Sequence, residues 1–483
     1  MTIRTSSLTT LAVLSLAPSL FAQASWTALG TGTAADMSDD GQFVVGSIGT
    51  HGFLWSASGV QVDLGVGTPT AVSSDGTIVS GRTTNLAGES VAARWQQGTG
   101  WVELPGAGGA AGSSISVSYG MSADGSKCAG FGWNAAGLAS ALSWDAMGNV
   151  TFIPQSGPLN SQASSMSADG TLIGGWDDSA GFTARAVVWD ALHSQTFVAV
   201  TPGNLMGFGK VFGFSNNNSY VVGVTDDEGF IWNSTAGVTK TGSLPGGGPF
   251  TYGEARDVSD DGQKVVGLSR VTSLYDFRAT IWTPGAGLQE LKSYLEANGG
   301  SAVPELILAS AISSDGFRIL AYGPQGWGIG TLGFSVPSYC SCDATAPCGN
   351  SAALGEGCQN STGKGAVVAA AGGISVGADN LTLECEQLPP GKPSLLFAGL
   401  NQINGGAGSL FGDGLLCVGG GIQRLGVVVS SQTGSAAFGP GLVATGAWNS
   451  GDVRNFQVWY RDQAGPCAAG FNTSNALQVT FTP

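Results

Sequence analysis

Met37-Ser38-Asp39-Asp40-Gly41, followed by Val44 and Gly46, is the first of seven copies of one phrase. The phrase reads apolar-Ser-x-Asp-Gly, with an aliphatic residue three after the Gly and another Gly two further on, where the seventh copy has Ala321 instead. The remaining copies have their serine at Ser73, Ser122, Ser167, Ser215, Ser259 and Ser313. A tryptophan closes each one: Trp55, Trp95, Trp144, Trp189, Trp232, Trp282 and Trp327, at intervals of 40 to 50 residues. A period of that length marks a repeat architecture, in which each unit buries its faces against its neighbours.

The sixth copy shows what one unit contains. Ala255 to Ser259 alternates as a strand does, and Asp260-Asp261-Gly262 turns the chain. Asp bonds its own backbone there and Gly accepts a positive φ. Val265-Val266 predicts a second strand, Arg278 to Trp282 a third and Leu288 to Leu291 a fourth, the last set off by Thr283-Pro284-Gly285. Four short strands in about 45 residues are the composition of a propeller blade.

Two columns vary informatively. Three residues after the turn Gly stand Val44, Val79, Cys128, Ile173, Val221, Val265 and Ile319. Cys128 is therefore expected to be a buried free thiol packing as a small hydrophobe. In the fifth copy Asn217-Asn218 replaces Asp-Gly, and Asn also tolerates the left-handed conformation. The phase of the repeat matters too. Most copies end in an outer-strand phrase such as Val62-Asp63-Leu64-Gly65, and Trp26-Thr27-Ala28-Leu29-Gly30 has that form with no blade before it. Residues 26–30 are expected to complete the last blade and so close the ring, which removes its open sheet edges.

The copies resemble the HAF repeats of bacterial extracellular proteins, named for a His-Ala-Phe triplet ahead of a Trp. His51-Gly52-Phe53-Leu54-Trp55 is the nearest match, and Arg185-Ala186-Val187-Val188-Trp189 and Glu228-Gly229-Phe230-Ile231-Trp232 keep the frame. The resemblance covers roughly residues 28–330. It implies an extracellular location and transfers no catalytic residue.

Composition narrows the partners. A net charge of −15 disfavours nucleic acid and anionic membrane surfaces. Only His51 and His193 are present, which limits catalytic options. The apolar run Leu11 to Phe21 behind Arg4, ending in Ala22-Gln23-Ala24, predicts a signal peptide over residues 1–24. No segment is long and apolar enough to be transmembrane.

Composition changes after Val336-Pro337-Ser338-Tyr339. Seven of the eight cysteines follow: Cys340, Cys342, Cys348, Cys358, Cys385, Cys417 and Cys467. Alternation in Leu381-Thr382-Leu383-Glu384-Cys385 places Cys385 with the leucines, as a second buried thiol. The other six make three disulfides in any of fifteen connectivities. Zinc at Cys340, Cys342, Cys348 and Cys358 is the rival, disfavoured by export and by the one-residue first spacing. Short strands are expected at 365–368, 381–383, 395–398, 426–429, 457–460 and 477–481, which suits a sandwich. Gly357-Cys358-Gln359-Asn360-Ser361 and Val458-Trp459-Tyr460-Arg461-Asp462, among other phrases, resemble a C-terminal module of secreted planctomycete-type bacterial proteins. That resemblance implies location more than chemistry.

Three motifs require a decision. Gly373-Ile374-Ser375-Val376-Gly377 has the nucleophile-elbow pattern, but no His follows it, so a Gly-rich strand is expected. The Ser-x-Asp-Gly array recurs at the same point of every copy, which argues for structure rather than catalysis. Four residues before the tryptophans stand His51, Arg185, Glu228 and Arg278, polar members of a ring that could share one mouth and meet a ligand.

The sequence therefore predicts an all-β protein: a seven-bladed β-propeller over residues 25–335 and a disulfide-stapled β-sandwich over 336–483. Its expected role is that of a secreted or cell-envelope, non-enzymatic interaction protein, with cell-envelope polysaccharide or protein as partner and no cofactor or metal. The competing reading is a carbohydrate-active hydrolase working from the propeller mouth through paired carboxylates.

Overall fold

The computed structural model describes residues 24–178, 184–198, 208–246, 252–332, 336–342, 346–371, 373–377 and 379–481. The expected signal peptide lies outside these residues except for Ala24.

The repeated phrase is a self-contained turn. Its serine is buried in every copy. The hydroxyl donates to the Asp carboxylate two residues on at 2.6–2.8 Å, and to Asn217 Oδ1 in the fifth copy at 2.8 Å. The same oxygen accepts the backbone N–H five residues on at 2.9–3.1 Å. The Asp or Asn Oδ1 accepts a further backbone N–H two residues beyond it, so a buried serine and a more exposed acid or amide hold the turn together by polar bonds. The turn glycines all sit at φ between +66° and +74°, and Asn218 takes the same region at +59°.

These turns separate the first and second strands of seven four-stranded antiparallel sheets among the described residues. Six are built from consecutive strands over 33–66, 68–103, 116–152, 161–197, 209–242 and 253–290. The seventh joins the three strands of 308–331 to Ser25–Gly30, whose Trp26 lies opposite Gly330. The N-terminal strand thus supplies the outer strand of the last sheet, as the phase of the repeat predicts.

Each neighbouring pair of sheets shares an apolar core. Ala71, Ala92 and Leu104 meet Met121, Cys128 and Trp144, for example, and Val266 and Ile281 meet Ile312 and Ile319. The last sheet packs on the first in the same way: Ala311, Leu320 and Trp327 against Ala34, Val44 and Phe53, with Phe53 and Trp327 stacked at 5.0 Å. The sheets therefore follow one another around a closed ring, the architecture of a β-propeller. All seven residues of the aliphatic column are buried, and Cys128 fills its place as the hydrophobes do. Burial pushes its thiol up to about 11.

The ring departs from expectation at one point. The fourth strand of the sixth sheet stops at Glu290, and Leu291 opens a helix, α1 (Leu291–Ala297). Leu291 and Leu295, one turn apart, are fully buried between the sixth and seventh sheets, and Lys292 pairs with Glu296 on the outer side.

Beyond the ring lie a five-stranded sheet, in the order Ser338–Tyr339, Phe471–Thr480, Val453–Arg461, Pro393–Gly399 and Gln423–Val429, and a three-stranded sheet of Val367–Ala371, Thr382–Glu386 and Ala436–Phe438. Val368, Leu383, Cys385 and Phe438 of the second share a core with Leu396, Phe456, Val458, Tyr460 and Leu477 of the first. Disulfides join Cys340 to Cys417, Cys342 to Cys358 and Cys348 to Cys467. Cys128 and Cys385 are free and buried. The Gly-rich strand expected at 373–377 is instead a turn with one isolated bridge at Ser375. Phe317, from the turn of the seventh sheet, touches both this core and that of the ring. Among the described residues no helix is long and apolar enough to cross a membrane.

Candidate functional site

His51, Arg185, Glu228 and Arg278 all stand at or next to the start of the third strand of their sheets. Third strands run parallel to first strands, so these four positions share one face of the ring. Each is engaged by a side chain close to it. His51 Nδ1 lies 3.0 Å from Asp63, and Glu228 is 2.7 Å from Lys240 Nζ. The Arg185 guanidinium covers the Phe197 ring at 4.3 Å. Arg278 pairs with Asp276 and lies 3.5 Å from Glu290 and 3.7 Å from Glu305. At about 4.8 Å per strand they sit roughly 10 Å outward from the innermost strands, and none lines the central cavity.

That cavity, about 470 Å³, is lined by the first strands of all seven sheets. Every one of these strands carries a bulge at the residue three before the phrase serine. A bulge twists the strand and re-aims the side chain it displaces. It also presses the first strand's carbonyl onto the second strand, where a Cβ at Gly81, Gly130 or Gly267 would lie only 1.9–2.2 Å from a carbonyl oxygen. This close approach accounts for the second Gly of the phrase.

The bulged residues are Ala35, Thr70, Tyr119, Ser164, Phe212, Arg256 and Ser310, and all seven line the cavity. No two adjacent sheets present the same side chain there. Sequence reading passed over this column because it holds no shared residue. Counting three back from each phrase serine is the signal that finds it.

Toward the strand starts the cavity is cationic and aromatic. Lys210 Nζ stands 5.2 Å from the Phe212 ring and 6.0 Å from the Tyr119 ring. The Arg256 guanidinium covers Phe212 at 4.2 Å and pairs with Glu254, to which Tyr252 also donates. Arg256 Nε is buried without a hydrogen-bond partner, as is Ser164 Oγ. Desolvation, together with the nearby Arg256 charge, brings Lys210 down to about 8.

Toward the turns the cavity is acidic. Asp36 Oδ2 accepts from Val72 N–H at 3.0 Å, and Asp257 Oδ2 from Ile312 N–H at 2.8 Å. Each carboxyl thereby ties its sheet to the next one. Enclosure by the ring pushes Asp36 up to about 7 and Asp39 up to about 6, the latter helped by the Asp260 charge; Asp257 is raised as well. Behind them a belt of backbone bonds passes from sheet to sheet, including Ser74 N–H to Ala123 O, Ala123 N–H to Ala168 O, Asp260 N–H to Ser314 O and Ser314 N–H to Asp39 O, at 2.8–2.9 Å. The six turn aspartates are taken up by their own serines and backbone, so the repeated phrase has no carboxylate to spare for chemistry. Among the described residues no three His, Cys, Asp or Glu side chains gather into a metal site.

No protein-family model and no curated protein matches the chain. Solved structures do match. A protein assigned as TolB from Agrobacterium tumefaciens is 15% identical, with 63% of this chain and 90% of that one covered and a TM-score of 0.34. A chain of the mitotic checkpoint complex is 13% identical, with 69% and 99% covered and a TM-score of 0.40. TolB from Acinetobacter baumannii is 14% identical, with 48% and 57% covered and a TM-score of 0.33. Likenesses of this order say nothing of ligand or role.

Proposed function

We propose that this chain is an exported, non-enzymatic binding protein of the cell envelope. In this reading residues 1–24 are its export signal and residues 25–335 form a seven-bladed propeller whose central cavity holds the ligand. Residues 336–483 form a disulfide-stapled β-sandwich serving attachment or a glycan or protein contact. The likeness to HAF repeats and to the planctomycete-type module belongs to the same proposal. Three disulfides suit an oxidising compartment outside the cytoplasm.

The observation that carries the reading is the contrast between two columns of one repeat. The turn serine is the same in all seven copies, because the fold needs it. The bulged residue varies around the ring, although in every sheet it lines the cavity. Ligand contact is therefore assigned to the cavity. His51, Arg185, Glu228 and Arg278 would meet only a ligand large enough to reach the outer part of the same face.

A hydrolase needs an acid and a nucleophile or base free to act. Asp36 and Asp257 already hold backbone N–H groups of the next sheet, which favours binding over turnover. The test is a pull-down of the mature full-length chain against cell-envelope fractions and a polysaccharide panel, with released sugar measured. Retention without release, lost when Ala35→Trp fills the cavity, supports the reading. Steady sugar release transfers the chain to the hydrolase class.

A further inference from the structure

The cavity is polarised, and the two ends make different demands. In a chain with 18 Lys and Arg against 33 Asp and Glu, cations gather at one end. Lys210 and Arg256 line the cavity there, and the Arg82 charge acts on Tyr119, pulling its phenol down against the larger upward push of burial. Glu254 is the acid paired among them. Phe212 lies against both Lys210 and Arg256, Tyr119 lies near Lys210, and Tyr322 lines the cavity with them. At the other end Asp36, Asp39 and Asp257 offer carboxyl oxygens, with the hydroxyls of Thr70, Ser164 and Ser310 between the ends.

From the bulged Ala35 to Asp39, both in the cavity lining, is four residues, at most about 13 Å of extended chain. That is longer than a single sugar ring and suits a short oligomer.

We propose that the cavity binds a short acidic oligosaccharide, with a uronate carboxylate held between Lys210 and Arg256 and sugar hydroxyls bonded to the aspartates at the far end. This rests on the cavity being the ligand site and names the class of ligand it takes. Three features support it. Arg256 lines the cavity with its Nη2 paired to Glu254, and a planar carboxylate is the acceptor a guanidinium fits best. Lys210 is held partly desolvated beside a second cation, so an anion between them relieves both costs. Carboxyl groups facing a polar cavity bond sugar hydroxyls in either protonation state, as acceptor or as donor.

The test is calorimetric titration of the mature full-length chain with digalacturonate and with its methyl ester, which has the same rings and no charge. Binding of the acid, with the ester about tenfold weaker or more, is the expected result. Lys210→Met and Arg256→Gln should each weaken the acid about tenfold or more and leave the ester unchanged. Their thermal melts show whether each variant is folded, and Lys210→Arg, which keeps the charge, should restore much of the affinity. Equal binding of acid and ester, lost on filling the cavity with Ala35→Trp or Ser164→Phe, would overturn the acidic ligand and leave the cavity as the site. Binding of the acid that survives both filling variants would overturn both assignments. If the chain ignores acid and ester yet retains neutral glycans, the inference fails alone. If it retains no envelope material at all, the binding function fails with it.

Discussion

Arg318 Nη1 donates to the Gly41 carbonyl oxygen at 2.9 Å across a separation of 277 residues. The contact joins the turn of the last sheet to the turn of the first. It repeats what happens between interior neighbours, where Lys127 Nζ donates to Gly170 O at 2.9 Å. In both cases the residue two after the turn Gly of one sheet lies over the turn Gly of the next. A Cβ at Gly41 would stand 2.6 Å from Arg318 Cδ, and one at Gly76 2.4 Å from the Phe43 ring. The seam between first and last sheets is thus built like every other junction. Its one special feature is that the outer strand comes from the other end of the chain.

Removing that strand should cost the ring its closure. Deleting residues 25–30 strips Gly326–Thr331 of its outer partner and exposes the core around Trp26. A loss of several kcal/mol is expected, because a whole strand's ladder and an aromatic side chain go together. Thermal unfolding of the truncated chain should begin well below that of the full one. An unchanged melt would mean that the strand is dispensable.

The phrase serines can be tested one at a time. Ser122 is almost fully buried, donates to Asp124 at 2.6 Å and accepts from Lys127 N–H at 3.0 Å. Ser122→Ala removes both bonds and leaves a buried N–H unpaired, a loss of about 1–3 kcal/mol. Asp124→Asn should cost clearly less, since the fifth sheet already uses Asn217 Oδ1 for the same bonds. Urea denaturation of the two variants compares them directly. Equal losses would argue that the charge, not the geometry, matters.

The cavity acids make stability depend on pH in a defined direction. Asp36 stands at about 7 in the fold against an ordinary value of 3.8, and Asp39 at about 6. A carboxyl raised on folding holds its proton more tightly in the native state. Its influence is neutral below about pH 4 and becomes destabilising as pH rises through the folded value. Asp36→Asn keeps an oxygen for the Val72 N–H and removes the ionisation. The variant should match the wild type near pH 4 and exceed it by about 1 kcal/mol or more near pH 8. Melting curves across that range decide it. A variant less stable than wild type at pH 8 would mean that the charge itself is used.

Much of this architecture was legible because the fold reuses one solution. A phrase that recurs in register announces its own turn, and Val44, Cys128 and Ile319 occupy equivalent buried places without being identical. The closing strand was legible too, since Trp26 to Gly30 matched outer strands elsewhere in the repeat. Helix α1 was not, because Leu291 and Leu295 give a single helical spacing inside a region otherwise patterned for strands. The cavity residues escaped for a different reason. Ala35, Thr70, Phe212 and Arg256 share no chemistry, and only the meeting of seven strands brings them together. His51, Arg185, Glu228 and Arg278 stand at or next to the starts of their third strands, and sequence position gave no radius for them.

The cysteines divide by location, and their reactivity should divide in the same way. Cys128 and Cys385 are free, and burial raises both thiols, so neither forms thiolate at neutral pH. Alkylation of the native protein should label neither, and both should react once the chain is unfolded. Immediate labelling would refute their burial. The six paired cysteines all lie beyond the ring, and Cys348–Cys467 spans 119 residues. Closing a loop of that size lowers the entropy of the unfolded chain by about 4–5 kcal/mol in the loop-entropy account. Cys348→Ser with Cys467→Ser should therefore lower the unfolding transition of the C-terminal part by several degrees. The ring contains no disulfide among its described residues, so its own transition should be reached at the same temperature in strong reductant. A single transition that moves as a whole would show instead that the contact through Phe317 couples the two parts into one unit.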